Sequence, residues 1–286
     1  MLLISFIIPL YNAKGYIERC LRSIFFQNLA SDTFEVIVVN DGSTDGSLQI
    51  TESLKAELPN LLIINQKNQG VSVARNEGLK LAKGKYIYFV DADDFLKSDS
   101  LKNIMEVAER FKNIDSIGFS LNIIKDGHTR KLKRGETLKE PISGIEWARH
   151  YVKELYYTPS IIFKRESILK NRLWFNPRVT VWEDILFLTQ FFCLSKNVHY
   201  LDKVLYNYTL YPDSLSHKRA FKTPQNRFFI LLSLIQFYFT RNLDKTQRKY
   251  LRNRISLWFV LLTDTLTRYV FTKWLTRARD RINARV

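Results

Sequence analysis

Three carboxylates within four positions, Asp91, Asp93 and Asp94, end an otherwise apolar run, KYIYFVDADDFL at residues 85–96. So close a set repels itself, and a folded chain tolerates it most readily where a cation or a cationic partner neutralises it. The plain alternative is a solvated turn with a helix N-cap. Residues 86–90 read as a buried strand, because five apolar residues follow the Gly84 turn signal. Ligands of open α/β sheets bind beyond the carboxyl ends of the strands, and the acidic cluster falls at such an end. A second acidic pair, Glu183-Asp184, follows Trp182 and heads the apolar run 185–194. Carboxylates there favour a helix N-terminus through its dipole.

The elements that must position these groups can be followed along the chain. A strand over 3–8 precedes a helix over 16–27, whose Ile17, Cys20, Leu21, Ile24 and Phe25 recur at helical spacing. A second strand, 34–39, runs into the polar turn NDGSTDG at 40–46, where Ser43 or Asp45 is expected to cap a helix reaching about residue 58. A strand over 61–65, a helix over 71–82 after Gly70, the 86–90 strand, a helix over 98–111 and a strand over 116–124 complete the alternation. Alternating strands and helices imply parallel pairing with right-handed crossovers. Neither G-x-G-x-x-G after the first strand nor G-x-x-x-x-G-K-[ST] occurs, which excludes a dinucleotide fingerprint and a P-loop.

Beyond residue 124 the alternation lapses. Asp126-Gly127 signals a hairpin, and Ser143 with Glu146 fits a capping box opening a helix to about residue 155. A strand over 161–164, a helix over 185–194, two short strands at 198–201 and 205–209, and helices near 224–240, 245–262 and 264–282 are expected. The net charge of +16 is uneven. Residues 1–120 hold 13 basic and 15 acidic side chains, whereas residues 241–286 hold 12 and 3. A basic second half points to an anionic partner surface, membrane or nucleic acid. The basic tail is interleaved with Trp258, Phe259, Tyr269, Phe271 and Trp274, a mixture suited to helices lying on an anionic bilayer; packing on the rest of the protein with a solvated basic face is the other reading. Cys20 and Cys193 suggest small apolar core residues in a reducing compartment, not a disulfide framework. The start, MLLISFIIPLYN, lacks a basic region and a small-residue cleavage site, so it is read as a strand and not a signal peptide. No window reaches the roughly 18 uncharged apolar residues of a membrane-spanning helix.

Taken in order, ISFIIPLYNAKGYIERCLRSIFFQ, FEVIVVNDGSTDGS, NQGVSVARNEGLKLAKGKYIYFVDADDFL and WED make the chain resemble an inverting family 2 glycosyltransferase of the GT-A fold over about residues 3–217. The resemblance implies an α/β nucleotide-binding, Rossmann-like, mostly parallel sheet flanked by helices, with a C-terminal helical extension. It implies a catalytic domain at 1–222, comprising a nucleotide-binding half (1–120) and an acceptor-binding half (121–222), followed by a basic helical region at 223–286. By the same resemblance Asp93 is a ligand of Mn²⁺ or Mg²⁺, Asp91 contacts the ribose or the metal shell, and Pro9 and Tyr11 hold the nucleobase. Asp41 accepts from a uracil N–H, and Arg75 lies near the nucleotide. Asp184 is the general base that an inverting displacement requires, and His217 is a late metal ligand or else a surface residue. Asp94 either joins the metal site or caps a helix, and Trp182 either stacks on a sugar or packs.

The expected reaction moves one sugar from a nucleotide sugar, most simply a UDP-sugar, to a glycan acceptor carried on a lipid, as in bacterial surface polysaccharide synthesis. The expected setting is cytoplasmic and peripheral on the inner face of the cytoplasmic membrane. The Q-x-x-R-W motif of processive relatives is missing, since Gln225 begins QNRFF, which favours single transfer over polymerisation. A nucleotidyltransferase would carry a glycine-rich basic loop after the first strand, where Pro9-Leu-Tyr-Asn-Ala-Lys stands instead. Nucleic acid is not expected as a partner, because the basic excess lies outside the α/β half and no binding motif accompanies it. Retained Asp93 and Asp184 argue against an inactive fold.

Overall fold

The computed structural model describes residues 2–27, 29–133, 135–150, 158–211 and 224–283, with side chains described up to residue 265. The chain forms two compact units, Met1–Pro212 and Asp213–Val286.

The first unit opens with the strand–helix alternation that the apolar spacing predicts. Strands β1 (Ile4–Leu10), β2 (Phe34–Asp41), β3 (Leu61–Gln66) and β4 (Tyr86–Phe89) alternate with helices α1 (Ile17–Phe25), α2 (Ser47–Ser53) and α3 (Val71–Leu81). These four strands are parallel, in the order β3-β2-β1-β4. Near-continuous apolar runs such as the Ile4, Phe6, Ile7 and Ile8 of β1 are what a sheet covered on both faces requires. Helix α2 begins later than expected. Gly46 takes the left-handed conformation at its N-cap, while Asp45 accepts from the Ser47 backbone amide at 3.0 Å.

The sheet then continues through elements that run both ways. They are β5 (Phe95–Leu96), α4 (Ser100–Arg110), β6 (Ser116–Lys125), β7 (His128–Leu132), α5 (Gly144–His150), β8 (Ile161–Lys164), α6 (Arg165–Lys170), α7 (Glu183–Leu194) and β9 (Val198–Leu210). The whole is a nine-stranded sheet in the order β3-β2-β1-β4-β8-β6-β9-β5, with β7 paired on β6. Strands β6 and β9 run with β1 to β4, and β5, β7 and β8 run against them. The sheet is therefore mostly parallel.

It must also curl. Five residues separate β4 from β5, yet β5 sits four strand positions away, about 19 Å across a flat sheet. Those five include a turn closed by Asp94 N–H donating to Asp91 O at 3.1 Å, so the link is far from extended. Only a sheet that bends back on itself lets β9 and β5 meet the end of β4.

Strand β9 replaces the two short strands expected at 198–201 and 205–209. Asp202 and Lys203 interrupt the apolar run but not the strand, because the ladder slips opposite Ser120 and resumes at Val204. Asp202 is held there by the Ser120 hydroxyl at 2.9 Å and by Lys131 at 2.8 Å. The Asp126-Gly127 hairpin joins β6 to β7 with both turn residues at positive φ, +49° and +76°. Ser143 Oγ accepts from Glu146 N–H at 3.2 Å, as the first half of a capping box would; the predicted end of that helix lies outside the described residues.

Two packing features set the site. Helix α3 lies so close to β1 that a Cβ on Gly78 would stand 2.4 Å from Cγ2 of fully buried Ile7. Gly78→Ala is expected to destabilise the protein by about 1–3 kcal/mol, as overpacked cores do, read as a lower urea midpoint with an unchanged slope. Helix α7 is laid on the sheet by aromatic rings. Phe187 stacks on Phe175 at 4.3 Å and 7°, and meets Phe163 of β8 and Phe89 of β4 edge-on at 5.7 and 6.2 Å. Each such pair contributes about 0.5–1.5 kcal/mol beyond its buried area.

The second unit is a helical hairpin, α8 (Pro224–Thr240) and α9 (Lys245–Asn283). A reciprocal pair starts α9, with Gln247 N–H donating to Asp244 Oδ1 at 2.8 Å and Asp244 N–H to Gln247 Oε1 at 2.9 Å. The break expected near residue 263 does not occur. Thr263 and Thr265 turn their hydroxyls onto the Val260 and Leu261 carbonyls, an arrangement helices accommodate. Among the described residues no helix is long and apolar enough to cross a membrane.

Candidate functional site

Strands β1, β2 and β4 are parallel neighbours that end on one edge of the sheet, and Tyr11, Asp41 and Asp91 stand at or just beyond those ends. Arg75, on α3, is the centre. Its Nη2 donates to Asp91 Oδ1 at 2.9 Å and its Nη1 to Glu183 Oε1 at 2.8 Å. The three side chains are 5%, 28% and 13% exposed. One planar guanidinium thus joins the turn after β4 to the first turn of α7, a use for which the rigid fork of arginine is suited and a lysine is not. Burial alone would lower the proton affinity of Arg75, but Asp91 and Glu183 more than offset it and hold the guanidinium above its ordinary value. Its ring neighbour is Phe175, 5.2 Å away. Phe175 is tied in turn to α3, because Asn76 exchanges two hydrogen bonds with its backbone at 2.8 and 2.9 Å.

Asp184 follows Glu183 in the first turn of α7 and accepts from Ile185 N–H at 2.7 Å. Burial pushes its carboxyl up to about 8, with the charge of Glu183 adding to the rise and that of Arg75 opposing it. The helix is entered through Trp182, which sits at φ +67°, a left-handed conformation that costs a non-glycine residue about 1–3 kcal/mol. Strain at the joint before an acidic pair is a common mark of a functional site.

The acidic turn after β4 divides its carboxylates between two tasks. Asp94 is fully buried and occupied, receiving the Tyr206 hydroxyl at 2.8 Å and Thr209 N–H at 2.7 Å. Of the two earlier readings of Asp94, metal site or helix cap, the contacts show neither: it anchors the turn to β9. Asp93 differs. Burial lifts its carboxyl to about 6, with Asp91 adding to the rise, while its own backbone amide and Arg19 pull it down. Arg19 spends its Nη2 on the Asp93 carbonyl at 2.9 Å and on Tyr211 at 3.0 Å.

The ends of β1 and β2 form the flank. Pro9 pairs in register with Val39, and Tyr11 just beyond it is 48% exposed. The two loops are stitched together, Asn12 accepting from Thr44 N–H at 2.8 Å and Asp45 from Lys14 N–H at 2.9 Å. Asp41 is 3% exposed and already receives Gln66, Gln69 N–H and Gly70 N–H at 2.7–2.8 Å. A carboxylate offers about four acceptor positions, and these donors take three of them. His217 lies outside the described residues.

Sequence reading missed Glu183 as the second partner of Arg75, although its place beside Asp184 was a hint. It also missed Tyr206 and Arg19, which no motif marks. A divalent ion fits the residues present. Among the described residues no three His, Cys, Asp or Glu side chains converge as a cage, but Mg²⁺-like ions commonly take one or two carboxylates and complete their shell with substrate phosphates and water. Asp93, with its raised proton affinity, and Asp91, whose Oδ1 alone is engaged by Arg75, supply such a pair.

Residues 5–173 match the family model described as Glycosyl transferase family 2. The chain is 30% identical over 256 residues to the uncharacterized glycosyltransferase YibD of Escherichia coli K12, covering 86% of this chain and 72% of that one. It is 25% identical over 249 residues to a poly(ribitol-phosphate) beta-glucosyltransferase of Bacillus spizizenii W23, covering 86% of this chain and 38% of that one. Among solved structures, residues 1–349 of Staphylococcus aureus TarS in complex with UDP-GlcNAc superpose with a TM-score of 0.73 at 25% identity, over 94% of this chain and 72% of that one. The chain belongs to glycosyl transferase family 2 with the GT-A fold.

Proposed function

We propose that this protein transfers one sugar, with inversion, from a UDP-sugar to a glycan acceptor carried on a lipid. The observation that carries the reading is the Arg75 fork. It puts Asp91 of the acidic turn and Glu183, the neighbour of Asp184, within hydrogen-bond distance of one guanidinium, so that a donor and a base can address the same cleft.

In this reading Pro9 and Tyr11 hold the nucleobase, Tyr11 by stacking with its exposed ring, and Asp41 offers its remaining acceptor position to a uracil N–H. Arg75 and Asp91 line the ribose side. Asp93 and Asp91 hold Mn²⁺ or Mg²⁺. When bound, such an ion offsets the charge that develops on the diphosphate leaving group. Asp184 takes the proton of the acceptor hydroxyl as that oxygen attacks the anomeric carbon from the face opposite the diphosphate. Support for UDP comes from TarS, solved in complex with UDP-GlcNAc. Support for a surface-polymer acceptor comes from the Bacillus relative, named for poly(ribitol-phosphate).

The division expected from sequence, 1–222 as catalytic domain and 223–286 as basic helical region, stands as part of the proposal, as does attachment to the inner face of a cytoplasmic membrane. Helix α8 exposes Phe228, Leu232 and Phe239, which recur at i, i+4 and i+11 along one stripe. An apolar stripe in a region rich in basic residues suits an anionic bilayer, where each near-surface Lys or Arg contributes about 1 kcal/mol.

A transfer screen over UDP-, GDP- and dTDP-sugars with Mn²⁺, with and without a chelator, tests the chemistry. Turnover with a UDP-sugar that the chelator abolishes is expected, and a folded protein inert with every donor would refute it. For the membrane, binding to phosphatidylglycerol vesicles should exceed binding to phosphatidylcholine vesicles and weaken in Phe228→Ser/Phe239→Ser; equal binding to both lipids contradicts the proposal.

A further inference from the structure

The acidic turn is bolted to a strand that no motif singles out. Tyr206, on β9, is fully buried, and its hydroxyl touches both ends of the turn. It accepts from Asp91 N–H at 3.2 Å and donates to Asp94 Oδ2 at 2.8 Å. The other oxygen of Asp94 receives Thr209 N–H, three residues along the same strand, at 2.7 Å. The register of β5 on β9 sets Leu96 opposite Tyr206 and Phe95 opposite Asn207, so the chain leaving the turn is fixed by the strand that fixes the turn itself. On the other side, the Asp91 carbonyl faces Cys20 Sγ at 3.6 Å and the Asp93 carbonyl takes Arg19 at 2.9 Å. The two carboxylates left to face the edge are those of Asp91 and Asp93.

We infer that Tyr206 and Asp94 are positioning residues for the donor turn: the hydroxyl and the carboxylate fix the spacing of Asp91 and Asp93 toward a divalent ion and the diphosphate, and neither side chain touches substrate. The inference rests on the assignment of Asp91 and Asp93 made above. A turn carrying several like charges tends to splay, and a pair of metal-holding carboxylates needs supporting hydrogen bonds behind it. Loss of such supporting partners commonly weakens metal affinity about 10- to 100-fold.

Titration calorimetry of Mn²⁺ into the full chain saturated with UDP tests this without turnover. Tyr206→Phe keeps the ring and removes the two hydrogen bonds. It is expected to weaken Mn²⁺ binding about tenfold or more, and in transfer assays to raise the Mn²⁺ concentration for half-maximal rate by a similar factor, with a smaller change in kcat at saturating Mn²⁺. The matched control is Tyr88→Phe. Tyr88 is equally buried, lies 6.3 Å from Tyr206 ring to ring, and donates to Pro159 O at 3.0 Å instead of to the turn. It should lower the melting temperature without moving Mn²⁺ affinity. Asp94→Asn, which keeps the bulk and replaces one of the two acceptor oxygens by an amide, is measured alongside and serves if Tyr206→Phe does not fold. Wild-type Mn²⁺ affinity in Tyr206→Phe, or an equal loss in Tyr88→Phe, overturns the inference while leaving the proposed function intact. A wild-type protein that binds no Mn²⁺ with UDP overturns the metal assignment, and the inference with it.

Discussion

Replacing Asp184 by Asn is expected to lower kcat about 10²- to 10⁴-fold, the range that a general base contributes, while UDP binding stays near the wild-type level. The carboxyl of Asp184 is raised to about 8, so at neutral pH the free enzyme carries it mostly protonated, and a protonated carboxyl cannot take the acceptor proton. For wild type, kcat/KM should therefore climb with pH and level off above about 8, since that ratio reports the free enzyme. Asp184→Asn should lose the climb. Stability supplies an independent check. A folded-state carboxyl raised from the ordinary range to about 8 binds a proton that the unfolded chain has already released, so folding weakens as pH rises between those values. Asn has no such dependence, and Asp184→Asn should melt higher than wild type at pH 8. A variant that is inactive, melts lower and shows the same pH profile in its residual rate would mean that the side chain holds the fold and not the proton.

The second large effect is expected at Arg75. Arg75→Ala removes the cation that pairs with both Asp91 and Glu183, each of them largely shielded, and leaves two charges facing each other in a partly dry space. Breaking a buried pair by deleting one partner costs about 3–5 kcal/mol. For a unit of this size that corresponds to roughly 10 °C in melting temperature. Arg75→Lys should restore part of it, because a single ammonium neutralises charge but cannot bind both carboxylates as a fork. Adding Glu183→Gln to Arg75→Ala should also recover stability, and the two changes should be clearly non-additive. Transfer should fall by at least as much in Arg75→Ala as in Asp93→Asn, since the donor turn and α7 lose their common tie. Melting within about 2 °C of wild type would show that the fork contributes little.

The α/β half was legible because its signals are local. Strands β1 to β4 are apolar runs ended by turn residues, and α1 and α3 follow helical spacing, so each could be placed within a residue or two. The acidic turn and the Trp182-Glu183-Asp184 triplet stand out in the sequence because carboxylates are rarely crowded without cause. What could not be read was distance in three dimensions. The Arg75–Glu183 pair spans 108 positions, and nothing near Arg75 announces it. Strand β5 has two residues, too few for any periodicity, and exists only because β9 pairs with it. Strand β9 was split because Asp202-Lys203 interrupts its apolar run, whereas a slip in register, with Ser120 and Lys131 on Asp202, keeps the strand continuous. Asp41 was read by resemblance as an acceptor from a uracil N–H, and its three donors within the protein became visible only once the loop at 66–70 was folded over it.

The bond between β9 and the acidic turn also constrains how this scaffold can be re-engineered. A chimera that exchanged everything after residue 120 with a relative would import a foreign β9 and detach the donor turn from its anchor. Grafting residues 121–182 alone, with 90–96 and 183–211 from one parent, would exchange much of the second half while preserving the native strand beneath the turn. Failed swaps in such a series should cluster at crossovers that separate Asp94 from Tyr206.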